Sequence, residues 1–266
     1  MGVALTLESV RATPGSEEMP TVTFDPATYG AWFNSQLGRR VWADEERALF
    51  RVLQPKPGWR VLDAGCGDGR LLLSLARQGL RVAGVDASMA MLRAARECAR
   101  AAALPVHLVR AGVGALPFRD QSFDAVAAVT VLCFVADPVA ASQEMARTLR
   151  GGGRLVIGEL GRWSWWAVGR RVRGWRRGGP WRVARFWSAR EVRQVLEAAG
   201  LVPRRVRGAV FYPRSRVAAR AFALFEAALG SLTTVGAAFI ALVADKPADS
   251  RAADPRPLSE KGASRD

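Results

Sequence analysis

Apolar residues fall into short blocks along most of the chain, separated by stretches of helical periodicity. Arg60-Val-Leu-Asp-Ala64 is a compact apolar run that predicts a strand. A glycine-rich turn follows, then a helix over Arg70 to Gln78 that Gly79 terminates. Arg81 to Val85 predicts a second strand, and Ser88 stands where it would cap a helix reaching about Ala102. Val106 to Arg110 predicts a third strand. Phe123 to Leu132 predicts a fourth, apolar on both faces as a central parallel strand is. Pro138 opens a helix ending near Arg150, and Gly151-Gly-Gly153 predicts a turn into a fifth strand, Arg154 to Glu159. Ser188-Ala-Arg-Glu191 is a capping box before a helix that Gly200 ends. Strands near Val202–Phe211 and Ala237–Ala244 complete the series. Alternation at this spacing predicts a doubly wound α/β sheet, without internal repeats.

Residues 1–20 and 246–266 are rich in Pro, Ser, Ala and charge and lack periodicity. They read as disordered ends around one domain spanning 21–245. From Ala227 to Ala244, 18 residues carry no charge. Gly230, Ser231, Thr233, Thr234 and Gly236 interrupt them, so a helix end, a turn and a strand fit better than a transmembrane segment. The 266 residues are half apolar and 24% charged, the composition of a globular domain with a core. That excludes collagen-like, wholly disordered and disulfide-stapled classes. Cys66, Cys98 and Cys133 form no CxxC pair, and no cationic start precedes an apolar run. A cytoplasmic location without a signal peptide is expected.

Charge complicates this ordinary picture. The formal net charge is +15, with 36 Arg and only 3 Lys among the basic residues. Residues 1–158 hold 18 basic and 15 acidic side chains, residues 159–220 hold 16 Arg and 3 Glu, and residues 221–266 hold 5 basic and 6 acidic. The excess therefore sits in one 62-residue stretch. Such a stretch invites a nucleic-acid or membrane reading.

The densest chemical signal is Val61-Leu-Asp-Ala-Gly-Cys-Gly-Asp-Gly69, where a strand turns into a helix at the carboxyl edge of the sheet. Open α/β folds bind ligands there. Gly65 and Gly67 allow close backbone approach, and the following helix offers unpaired N–H groups. A dinucleotide fingerprint would need glycine at Arg70. Asp63 would repel a pyrophosphate but suits a cationic ammonium. Asp86, 19 residues after Gly67, ends the second strand, where an acid accepts two ribose hydroxyls. Each such charged hydrogen bond contributes about 1.5–3 kcal/mol. The implied ligand has an ammonium, a ribose and no phosphate, which is S-adenosylmethionine.

At this point the sequence resembles the class I S-adenosylmethionine-dependent methyltransferases, in the branch with the ubiquinone/menaquinone-biosynthesis (type 11) enzymes. The matching pieces are VLDAGCGDG (61–69), GVDAS (84–88), ALPFRDQSFDAV (115–126) and VLCFVADPVAASQEMARTLRGGGRLVIGE (131–159). The resemblance implies a mostly parallel seven-stranded sheet with an antiparallel last strand. It also implies a small N-terminal helical lid and a cap inserted after the fifth strand. By position it implies a cofactor site of Asp63, Gly65, Cys66, Gly67, Gly69, Asp86, Ala87, Met91, Gly112, Val113 and Val131. Gly65 and Gly67 would line the methionine part, Asp86 the ribose and residues 112–113 the adenine. Val131 and Leu132 would sit near the sulfonium. Gly112 departs from the family, which usually has an acidic residue there to accept the adenine amino group. That departure leaves open a cofactor-binding regulatory domain without turnover.

Methyl transfer from a sulfonium is a direct displacement in which the protein mainly aligns the two reactants. No catalytic residue is assigned. His107, the single histidine, reads as an ordinary strand residue, and no cluster of Asp, Asn and His suggests a metal. No Pro-Cys nucleophile and no Asn/Asp-Pro-Pro-Tyr/Phe motif of nucleic-acid methyltransferases is present. Substrate choice falls to two segments. Phe24 to Glu46 resembles the lid helix, with Tyr29 and Trp32 as lid residues. Residues 160–187 form the cap and hold six of the nine tryptophans, Trp163 and Trp166 among them, with eight arginines. The cap has three readings: a solvated cover, a surface for an anionic membrane or lipid-like acceptor, or a nucleic-acid surface. The expected function is methyl transfer to a small, hydrophobic acceptor, with an RNA methyltransferase as the alternative.

Overall fold

The structure, a computed structural model, describes residues 24–248. Of the disordered ends expected at 1–20 and 246–266, residues 1–20 and 249–266 lie outside the described residues, while 246–248 are described. Lys246 is held against the sheet: its N–H donates to the Gly153 carbonyl (2.8 Å) and its ammonium to those of Ala146 (2.9 Å) and Leu149 (2.7 Å).

Two helices open the described chain, α1 (Pro26–Asn34) and α2 (Gln36–Leu53). Asp25 caps α1 by accepting from the Thr28 N–H, and Ser35 caps α2 by accepting from the Gly38 N–H. Gly38 is required at this elbow, because a Cβ there would lie 2.1 Å from the Trp32 carbonyl oxygen. The alternating set follows: β1 (Arg60–Ala64), α3 (Arg70–Arg77), β2 (Arg81–Asp86), α4 (Met89–Ala101), β3 (His107–Arg110), β4 (Phe123–Val129), α5 (Pro138–Thr148) and β5 (Leu149–Leu160). The cap consists of α6 (Trp165–Arg177) and α7 (Pro180–Val183). Then come α8 (Ala189–Ala198), β6 (Val202–Ala209), α9 (Arg216–Ala221), α10 (Glu226–Leu232) and β7 (Phe239–Asp245).

The sheet order is β3-β2-β1-β4-β5-β7-β6. The first five strands are parallel, and β7 runs antiparallel to both β5 and β6. The expected doubly wound sheet with an antiparallel last strand is therefore present. A hydrophobic core lies on each face, one including Leu62, Val126 and Ile157, the other Leu49, Leu72 and Val156. Burying each such side chain stabilises the fold by about 1.5–3 kcal/mol. The half-buried capping box of Ser188 and Glu191 forms as expected.

Three boundaries differ from the sequence expectation. β4 ends at Val129, and Leu132–Phe134 form a single 3-10 turn. Thr130 adopts a left-handed φ of 56° and donates its N–H to the Gly158 carbonyl (2.7 Å), which turns the chain out of the strand. Gly151–Gly153 lie inside β5 and not before it. Phe123 pairs with Leu149 and Ala125 with Arg154, so the glycines take up a bulge between those pairs. β6 stops at Ala209, because Val210 has φ of 62° and its N–H is captured by the buried carboxylate of Glu226.

One buried polar network anchors the lid side. The Tyr212 hydroxyl donates to Asp44 of α2 (3.0 Å), and Asp44 also pairs with Arg40 and Arg47 (2.8 Å each). This ties α2 to the segment after β6, on the flank where the cap begins.

Candidate cofactor and acceptor site

The site grows from the turn after β1. Gly65 (φ 80°) and Gly67 (φ 53°) both use left-handed backbone that favours glycine. The N–H groups of Gly65 and Cys66 donate to the Val85 carbonyl (2.8 Å each), fixing the turn to β2. A Cβ on Gly65 would lie 2.4 Å from a methyl of Val131, whereas nothing lies within 4 Å of one on Gly67. The first glycine admits a neighbouring loop and the second faces open space.

Asp86 ends β2 and is half-buried. One carboxylate oxygen accepts from the Gly67 N–H (2.9 Å) and the other from the Ser88 N–H (2.8 Å). A carboxylate has about four lone-pair sites, so acceptor capacity remains for hydroxyls. Asp63, on β1, is 2% exposed, and one of its oxygens has no hydrogen-bond partner among the described residues. Burial first, then repulsion from Asp86, pushes its carboxyl up to about 7. Such a group accepts a cation readily.

The remaining expected cofactor residues divide by role. Gly69 starts α3 and brings it against Ala95 of α4, where a Cβ would sit 3.1 Å from that of Ala95. Met91 is buried at the start of α4, and Ala87 is exposed with its carbonyl accepting from Arg110 (3.1 Å). Cys66 packs under β2: its sulfur would lie 2.9 Å from a Cβ on Gly84, and burial pushes its thiol up. Gly112 is exposed with open space around its Cβ position, and Val113 packs half-buried on the core.

Val131 is held by a residue that sequence reasoning left without a role. Glu159, fully buried at the end of β5, accepts from the N–H groups of Val131 (3.0 Å) and Leu132 (2.7 Å). Its other oxygen has no partner among the described residues, and burial pushes the carboxyl up to about 7. The available signal was a lone carboxylate ending the apolar run Leu155-Val-Ile-Gly-Glu159. Leu132 is buried in the core beneath this turn. Cys133, beside it, is buried, and its thiol is pushed well up by burial and Glu159.

Aromatic rings from the lid and cap meet above the turn. Phe24 contacts Tyr29 (5.7 Å), Phe134 (5.5 Å) and Trp181 (6.5 Å), ring centre to ring centre. Trp32 lies 6.0 Å from Trp166. Tyr29 sits among Asp68, Glu45, Arg70 and Asp63, and its hydroxyl is pushed up by burial and the acids. Trp166 is buried and donates its indole N–H to the Tyr212 carbonyl (2.7 Å). Trp163 is 63% exposed and stands apart from this cluster. Glu45, Arg170 and Arg214 also reach this region, and none was singled out from the sequence as a site residue.

The fold and the turn define a doubly wound α/β protein in which a glycine turn lies between Asp63, buried with one unpartnered oxygen, and Asp86 at the end of β2. A family model described as a methyltransferase domain matches residues 62–157. A ubiquinone biosynthesis O-methyltransferase of Dinoroseobacter shibae is 34% identical over 183 residues, covering 67% of this chain and 73% of that protein. An uncharacterized Mycobacterium tuberculosis protein is 38% identical over 177 residues, 66% of this chain. The chain spans 58% of that relative's length. A crystal structure of a Thermotoga maritima SAM-dependent methyltransferase shares the fold at TM-score 0.63 and 24% identity, covering 83% of this chain and 95% of that one. The chain belongs to the S-adenosylmethionine-dependent methyltransferases, in the type 11 branch. S-adenosylmethionine is the cofactor of that family, and the unpartnered oxygen of Asp63 and the open face of Gly67 fit its ammonium and methionine chain.

Proposed function

We propose that the protein transfers a methyl group from S-adenosylmethionine to a small apolar acceptor enclosed between α1 and the α6–α7 cap. The observation that carries this reading is the pairing of Asp63, buried with an unpartnered oxygen, with Asp86 across the glycine turn. When bound, S-adenosylmethionine supplies an electrophilic methyl carbon on sulfur. Asp63 would hold the ammonium and Asp86 the ribose hydroxyls. Val131, fixed by Glu159, would limit how far the bound group reaches past Gly65. The rings of Phe24, Tyr29 and Phe134 exclude water and offer apolar walls. Alignment is what a displacement requires of a protein. Three free cysteines suit a reducing cytoplasm.

The test is incubation with methyl-labelled cofactor and a cell extract. Label should enter an organic-soluble, nuclease-resistant product. Label in RNA would replace this acceptor class, and no transfer would leave only a binding domain.

A specific observation favours membrane contact by the cap. Trp165, Val168, Val172 and Trp175 recur at helical spacing on one exposed face of α6, with Trp165 72% and Trp175 85% exposed. Arg171, Arg173 and Arg176 flank that stripe. An apolar stripe edged by arginines complements an anionic bilayer, with tryptophan at the interface. Among the described residues no helix is long and apolar enough to cross a membrane. The protein should cosediment with phosphatidylglycerol vesicles and not with phosphatidylcholine vesicles. Replacing Trp165 and Trp175 together by alanine should reduce binding about tenfold or more. Unchanged sedimentation of that variant counts against the reading.

A further inference from the structure

Two guanidinium groups share one indole, that of Trp166, where the cap meets the lid. The central guanidinium carbon of Arg170 lies 5.5 Å from the Trp166 ring centre and 4.9 Å from that of Trp181. That of Arg214 lies 5.1 Å from Trp166 and 5.1 Å from Trp32. Stacking uses the faces of a guanidinium and leaves its in-plane N–H donors at the edge. Among the described residues neither arginine makes a hydrogen bond or an ion pair within 4.0 Å. Two like charges are thus gathered beside the same indole without a bonded anion, with Arg170 half-buried and Arg214 exposed.

We infer that Arg170 and Arg214 form the anion-recognition element of the acceptor site, selecting a planar apolar acceptor that carries a carboxylate. This rests on the methyltransferase reading above and names the acceptor class for it. The position agrees. Trp32 joins Arg214 to the lid, and Trp181 joins Arg170 to Phe24, which touches Phe134 of the turn after β4. That turn carries Val131 against Gly65. The pair therefore lies where the lid and cap meet, linked through aromatic rings to the turn after β4.

The surrounding charges support the assignment. Burial, helped by Arg214 and Arg173 and opposed by Glu45 and Cys133, lowers Arg170 to about 10. Glu45 is the nearby acid, and burial pushes its carboxyl up to about 7 against the pull of Arg170. Partly neutral near pH 7, it offsets only part of the paired positive charge. A carboxylate presents two oxygens to planar N–H donors, and the indoles of Trp32, Trp166 and Trp181 suit a flat ring. The alternative is that the stacking merely fastens the cap to the lid.

The test compares 4-hydroxybenzoate with 4-hydroxybenzamide, which match in shape and differ in charge. Each is titrated at pH 7.5 by tryptophan fluorescence, with saturating S-adenosylhomocysteine. The acid should bind at least tenfold tighter than the amide. Arg170→Met and Arg214→Met should each bring the acid to within about threefold of the amide, while the amide itself moves less than threefold. S-adenosylhomocysteine binding, measured on the same samples, marks the variants as folded. Equal binding of acid and amide, no saturable binding of the acid, or a preference that survives both substitutions overturns the inference. Failure of the unmodified protein to bind S-adenosylhomocysteine would instead overturn the methyltransferase reading, so the two failures separate.

Discussion

Asp86→Ala is expected to weaken S-adenosylhomocysteine binding at least a hundredfold, as read by isothermal titration calorimetry. Two effects combine. The carboxylate would accept ribose hydroxyls, and charged hydrogen bonds of that kind contribute about 1.5–3 kcal/mol each. The same carboxylate also receives the N–H groups of Gly67 and Ser88, so its loss releases the glycine turn from β2 and removes the anchor before α4. Asp86→Asn separates the two effects. Its amide oxygen can still accept one N–H, so the turn should hold while the charged acceptor is gone, and an intermediate loss of about tenfold follows. Binding by Asp86→Ala equal to that of the unmodified protein would remove Asp86 from the site and the cofactor assignment with it.

Asp63, the glycines and Asp86 lie within one strand-turn-helix-strand unit, and glycine spacing and strand ends are written in neighbouring residues. What stayed hidden depends on distant partners. Val131 and Leu132 read as strand because both are apolar, yet Glu159, 27 and 28 positions later, takes their N–H groups and bends the chain. Gly151–Gly153 do break regular strand geometry, but they do so as a bulge inside β5, since pairing with β4 resumes at Arg154. The cap was ambiguous for a different reason. Helix α6 carries tryptophan on both faces, with Trp166 buried and Trp165 and Trp175 exposed, so apolarity does not mark the inward side. Arg170, one turn after Trp166, follows the inward face, which composition alone does not distinguish from the other seven arginines of the cap.

S-adenosylhomocysteine binding should also strengthen as pH rises toward about 7, roughly twentyfold between pH 5.5 and 7.5, and then level off. The cause is Asp63, whose carboxyl is pushed from 3.8 up to about 7 by burial and by Asp86 and Asp68. Below that value the ligand-free protein holds a proton there, and a cationic ammonium is best met by the ionised form. The stability of the ligand-free protein should run the other way. Between about pH 4 and 7 the folded chain retains a proton that the unfolded chain has lost, so stability falls as pH rises through that window. Glu45 and Glu159, both pushed up to about 7 by burial, contribute to stability with the same sign. Asp63→Asn isolates the site. It should flatten the pH dependence of binding between 5.5 and 7.5, whereas the pH dependence of the melting temperature should only diminish, because the two glutamates still titrate. Calorimetric titrations at the two pH values, with melting curves alongside, measure both trends. An affinity independent of pH in the unmodified protein, or a slope unchanged by Asp63→Asn, would show that the buried carboxyl does not meet the ammonium.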